Sequence, residues 1–243
     1  MKLPLTSNLV RTCFVRQAYP GVKPLAQLEL PPAASAFDDT RPPFAPIARY
    51  LEDAAQSADT RFAAVLPGAL YHPTANLLLA GRGRILLDTD NVWREFPETP
   101  VHQRYYWRDL YLKPTRRIRG ATFHLRSQAN NFYHTLVDNL PRLYWLHQPA
   151  LRGVPVSVLI PGDLRPWEPY FIERMLPDTA RVIRVATDCL WKSDEPIFGS
   201  YLSRILSGHL PREYLDFFLP RVLPQRARST RHRIYIPRRA APG

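Results

Sequence analysis

Apolar positions along this chain follow two different periods. Between Ala63 and Leu112, the segments "AAVLPGALYH", "ANLLLAGRGRILLDTDNVW" and "RYYWRDLYL" set short apolar and aromatic runs between Gly, Pro and Asp. That spacing predicts strands and hairpins, with Gly81-Arg82-Gly83 as a turn. Beyond Gly120 the pattern changes. "GATFHL" predicts a strand, residues 128–151 a helix, "VPVSVLIPG" a buried strand, "RPWEPYFIERMLP" a short helix and "ARVIRVA" another strand. Strand, helix and strand in that order predict a parallel βαβ unit with a right-handed crossover. "PREYLDFFLPRVL" has helical spacing, and "HRIYIP" predicts a final strand. Residues 1–60, with "LPPAASAFDDTRPPFAPIARY", are rich in proline and predict an irregular segment.

The predicted helix carries the chemistry. Asn131 (or Asn130) suits its N-cap. Phe132, Tyr133, Leu136, Val137, Leu140, Leu143 and Tyr144 recur every three or four residues, which predicts an apolar face turned to a sheet. Asn131, His134, Thr135, Asp138 and Arg142 fill the remaining stripe. His134 and Asp138 stand one turn apart, about 6 Å between their positions on the helix surface. Pro141 lacks an N–H, so it bends this helix or starts a second one. The plain alternative is a solvated face bearing a common i,i+4 pair.

Composition narrows the partners. The 243 residues allow one large domain or two small ones. An apolar fraction of 45% with 22% charged residues excludes global disorder. The 26 prolines predict many interrupted elements. Of 33 basic residues, Lys2, Lys23, Lys113 and Lys192 are the lysines, leaving 29 arginines. The net charge of +12 attracts phosphates, acidic lipids or nucleic acid. Cys13 and Cys189 are too few for a disulfide framework or a metal cage, which favours a reducing cytoplasm. No apolar run reaches membrane-spanning length, which leaves peripheral contact with an inner membrane open.

"NNFYHTLVDNLPRLYWL" resembles the N-terminal signature of glycosyltransferase family 61, in which an Asn-aromatic-aromatic-His segment leads into an acidic and then a Leu-Pro-Arg-Leu segment. "LSGHLPREYLDFF" and "RHRIYIPRR" resemble later elements of that family in the expected order, and "LLLAGRGRILLDTDNVW" the segment before the helix. The resemblance implies an α/β fold: a GT-B-like Rossmann-type lobe over residues 119–230, with a β-hairpin region at 61–118 before it. It implies inverting transfer from a nucleotide-sugar donor to a glycan acceptor, as in capsular polysaccharide synthesis, with no cofactor and no metal. Such transfer needs a base and positive groups for the departing diphosphate. His134 and Asp138 are the candidates for the base, with their roles open. Asn131, Arg142, Arg238 and Arg239 are candidates for substrate contacts. The family continues into a second Rossmann-like half. Residues 231–243 match only its start, so that half is missing here and this chain is expected to turn over poorly or not at all.

Two rival readings remain. Asp88-Thr-Asp90, after an apolar run, fits the metal-binding pair of GT-A transferases. "RVLPQRARSTRHRIYIPRR" carries seven arginines suited to phosphate contacts, although no zinc-finger or RNA-recognition motif accompanies it and no nucleic-acid partner is expected. His209 caps the following helix or faces a cleft. Trp145 belongs to the core or the rim, where it could stack on a sugar.

Overall fold

A computed structural model describes residues 11–30, 59–89, 107–127, 131–202 and 210–223. Within them, ten strands join in one mixed sheet: β1 Arg11–Cys13, β2 Ala26–Leu30, β3 Asp59–Val65, β4 Leu70–His72, β5 Leu77–Leu79, β6 Arg84–Leu86, β7 Thr115–His124, β8 Val156–Pro161, β9 Ala180–Val185 and β10 Leu190–Gly199. Their order is β1-β6-β5-β4-β10-β7-β8-β9, with β3 also paired to β10 and β2 to β3. The strands β10, β7, β8 and β9 are mutually parallel. The hairpin strands β4, β5 and β6 are antiparallel. The architecture is therefore α/β, as the order of strand and helix signals predicts.

Helices cover one face of the sheet. The helix starting at Phe132, the helix Glu168–Met175 and the helix Arg212–Val222 pack over Ala121, Phe123, Val156, Val158, Ile160 and Ile197. The other face is covered by Val15 to Val22, which close over Phe62, Leu86, Leu159 and Phe198. Because β8 is covered on both sides, all six of its residues are buried, and that explains its unbroken apolar run.

Three expectations change. Residues 11–30, in the stretch expected to be irregular, form β1, β2 and a helical turn at Val15–Ala18. "RYYWRDLYL" was expected as a strand but holds a helix at Trp107–Tyr111, because Leu110 plugs the aliphatic cluster of Leu70, Leu77, Leu79, Ile85 and Leu190. The predicted turn also fixes that helix: Gly83 has φ +74°, and a Cβ there would lie 2.1 Å from the Tyr111 ring. The third is β10, the central strand, which gives almost no sequence signal. Its middle reads Lys192-Ser193-Asp194-Glu195-Pro196, loop-like in composition. A register shift between Ser193 and Glu195 accommodates the change from an exposed to a buried half. The expected strand at 232–237 lies outside the described residues.

Candidate active site

The chain leaves the carboxyl end of β7 and enters the expected helix. Ligands of open α/β sheets bind along this edge. Asn131 is the N-cap, extended at φ −93° and ψ 175°, with its side-chain oxygen accepting the His134 N–H at 2.9 Å. The Thr135 hydroxyl donates to the Asn131 carbonyl at 2.9 Å. Asn131 therefore serves its own helix. One α-turn, Phe132–His134, is followed by a π-helical stretch, Thr135–Asn139, and then by a 3-10 stretch, Leu140–His147, with Pro141 in its first turn. A π stretch inside a helix is rare and concentrates at functional sites.

That wide turn changes which face is buried. Phe132 and Tyr133, expected against the sheet, are 48% and 51% exposed. Thr135, Asp138, Asn139 and Arg142, on the expected polar stripe or beside it, are buried. The plain reading of a solvated ion pair fails at Asp138. The Asn139 oxygen accepts the Ser127 N–H at 2.8 Å. The Asn139 nitrogen is buried without an acceptor among the described residues, a cost of about 1–3 kcal/mol that stability alone does not explain.

His134 and Asp138 meet. The Nδ1 of His134 lies 2.6 Å from Oδ2 of Asp138, and the two side chains are 17% and 2% exposed. With the carboxylate accepting, Nδ1 is the donor and Nε2 keeps its lone pair. A buried acid thus fixes the tautomer and orientation of a partly open imidazole. The surroundings are aromatic: the Tyr133 ring stands edge-on to His134 at 5.4 Å, and Phe132 stands edge-on to Trp167 at 5.7 Å. This pair can take a proton from a hydroxyl that reaches Nε2.

Arg142 is placed elsewhere than a diphosphate contact requires. It is fully buried, and it ties two strand ends together. Its Nε donates to the Gly199 carbonyl at 3.1 Å, its Nη1 to the Leu125 carbonyl at 3.1 Å, and its Nη2 to Nε2 of His124 at 2.8 Å. The Phe123 and Tyr201 rings lie 5.2 and 5.0 Å from its guanidinium carbon. Burying a guanidinium costs several kcal/mol. Charge-assisted bonds worth about 1.5–3 kcal/mol each offset that cost, so the residue is a structural clamp. Burial first and the Arg142 charge second hold His124 well below the ordinary histidine range, so His124 accepts as neutral imidazole. Trp145 is likewise core, with its indole N–H on the Ser200 carbonyl at 2.8 Å. Gly199 has no side chain because a Cβ would lie 2.6 Å from that indole.

Sequence reasoning missed a second clamp. Arg126 forms a two-pronged ion pair with Glu168, both buried, and also donates to the Pro161 and Asp163 carbonyls at 2.7 Å. It binds the ends of β7 and β8 to the helix Glu168–Met175. Residues 42 apart in sequence carry no periodic signal that could pair them.

Of the remaining candidates, Asp88 does not join this pair. Asp88 turns inward, accepting the Val15 N–H at 2.6 Å, and burial raises its carboxyl above the usual range. Asp90, His209, Arg238 and Arg239 lie outside the described residues. No group of three or more metal-binding side chains occurs among the described residues, and none of their helices is long and apolar enough to cross a membrane. Compared with known proteins, the chain matches no family model and no curated sequence.

Proposed function

We propose that this chain forms the acceptor-binding lobe of an inverting glycosyltransferase, a Rossmann-type lobe of GT-B kind, in which Nε2 of His134 deprotonates the acceptor hydroxyl. The observation that carries this reading is the buried Asp138 carboxylate bonded at 2.6 Å to a partly open imidazole, at the carboxyl edge of parallel strands. Asp138 orients His134 and stabilises the imidazolium that forms. The freed alkoxide attacks the anomeric carbon, and the nucleoside diphosphate departs from the opposite side. The resemblance of "NNFYHTLVDNLPRLYWL" to family 61 supports the choice of a sugar transfer over other base-catalysed reactions. With Arg142 committed to the fold, the diphosphate falls to Arg238 or Arg239. The rim of Phe132, Tyr133 and Trp167 offers apolar faces on which a glycan acceptor can stack.

The test uses the full chain with a panel of nucleotide sugars and surface-polysaccharide acceptors. His134→Gln and Asp138→Asn should each slow transfer by about 10²–10⁴-fold while leaving the circular dichroism spectrum unchanged. Wild-type turnover in either variant would remove this pair from the chemistry.

A further inference from the structure

The far end of the same helix opens on a separate cavity. It has a volume of about 520 Å³ and is lined by residues of the helix end, the following loop, the turn before β9 and the helix Arg212–Val222. Its lining begins on the same helix at Tyr144, six residues beyond Asp138. Two of its polar groups, His147 and Arg221, are already held in place. Nε2 of His147 donates to the Met175 carbonyl at 2.7 Å, which leaves Nδ1 as an acceptor. The His147 ring lies 4.7 Å from the Phe217 ring. The Arg221 guanidinium sits 3.8 Å over that same ring and donates once to the Phe217 carbonyl at 2.7 Å. Arg221 and Arg152 both line the cavity, and neither forms an ion pair among the described residues. Asp178 lines it from the turn before β9.

We propose that this cavity binds an anionic sugar, one bearing a phosphate or carboxylate. The two arginines take the acidic group, since guanidinium geometry matches both anions. Asp178 and Nδ1 of His147 accept hydroxyl donors, of which a sugar ring presents several spaced around it. The aromatic rings of Phe217 and Tyr144 supply the apolar contact of a sugar face. Fixed side chains lose little entropy on binding, so a small polar ligand is held here better than on open surface. The site is distinct from the transfer chemistry and stands without it. In an enzyme acting on an acidic polysaccharide, it would hold a part of the acceptor remote from the reacting hydroxyl.

Calorimetric titration of the full chain tests this with glucose 6-phosphate and glucuronate as probes, and with glucose and inorganic phosphate as the separated halves. At least one acidic sugar should bind about ten-fold more tightly than either half. Arg152→Ala and Arg221→Met should each weaken it by about ten-fold, the loss of one charge-assisted bond. His134→Gln should leave it unchanged, so failure of the transferase reading and failure of this one are separable. In the nuclear magnetic resonance spectrum, His147 ring signals should shift on titration. Equal binding of phosphate and sugar phosphate, unaltered affinity in both arginine variants, or an unmoved His147 signal under saturation would each overturn the proposal.

Discussion

The sheet has two interiors of opposite character. Beneath the helix Trp107–Tyr111, the cluster of Leu70, Leu77, Leu79, Ile85, Leu110 and Leu190 is aliphatic throughout. At the carboxyl ends of β7, β8 and β10, the buried side chains include Arg126, His124, Asp138, Asn139, Arg142 and Glu168. The leucine cluster itself needs no explanation beyond area, because each buried leucine contributes about 1.5–3 kcal/mol and needs no polar partner. The second gains little net stability, since desolvation of a buried ion pair about cancels its attraction. A fold with its polar interior at the carboxyl edge of the parallel strands, and its aliphatic interior at the other end of β10, keeps the proposed chemistry apart from the cluster that holds the sheet. The clamps of Arg126 and Arg142 occupy that edge and leave the dyad rigidly mounted.

Removing one charge from the polar interior should have the largest effect. Arg142→Met strips the Leu125 and Gly199 carbonyls and His124 of their donor, so about 3–5 kcal/mol of unfolding free energy should disappear. Urea denaturation measures this. A loss under about 1 kcal/mol would mean that water reaches these carbonyls and that the edge is not a dry interior. Leu77→Ala probes the other region and should cost about 2–5 kcal/mol by cavity formation. Its turnover under folding conditions should match wild type. A drop in turnover would couple the hairpin to the dyad and dissolve the contrast.

The sequence made these two regions legible to different degrees, for a physical reason. Aliphatic strands such as "VPVSVLIPG" announce themselves through period and composition, so β8, β9 and the hairpin strands were readable. His134 and Asp138 were readable as a pair because they share a helix and spacing fixes their distance. Their burial was not, because the π stretch rotates the face by an amount that a 3.6-residue period does not anticipate. The burial of Arg142 was hidden for the same reason. The Arg126–Glu168 pair and the central strand β10 depend on contacts between distant segments, and local pattern is silent on those.

Acid provides the mildest probe, because each interior also holds a buried histidine. His72, in the same strand as Leu70, is 2% exposed, and burial pushes its imidazole down to about 4. His124 is pushed down by burial and by Arg142, and His147 is lowered mainly by burial. Once unfolded, each takes up its proton near pH 6.5. Below that pH the unfolded chain binds more protons than the folded one. The stability these groups contribute is therefore complete above about 6.5 and is lost as pH falls toward their folded values. Each group fully in that window contributes a slope of about 1.4 kcal/mol per pH unit. His72→Gln should lower the measured slope between pH 6 and 5 by about that amount, and His124→Gln, whose amide oxygen can still accept from Arg142, by a similar amount. If only His124→Gln flattens the curve, the aliphatic interior admits water at His72 and the two regions are less different than their side chains imply. If both flatten it equally, the polar edge is as dry as the leucine cluster. The orientation of His134 by Asp138 then takes place in a medium where one hydrogen bond suffices to fix a tautomer.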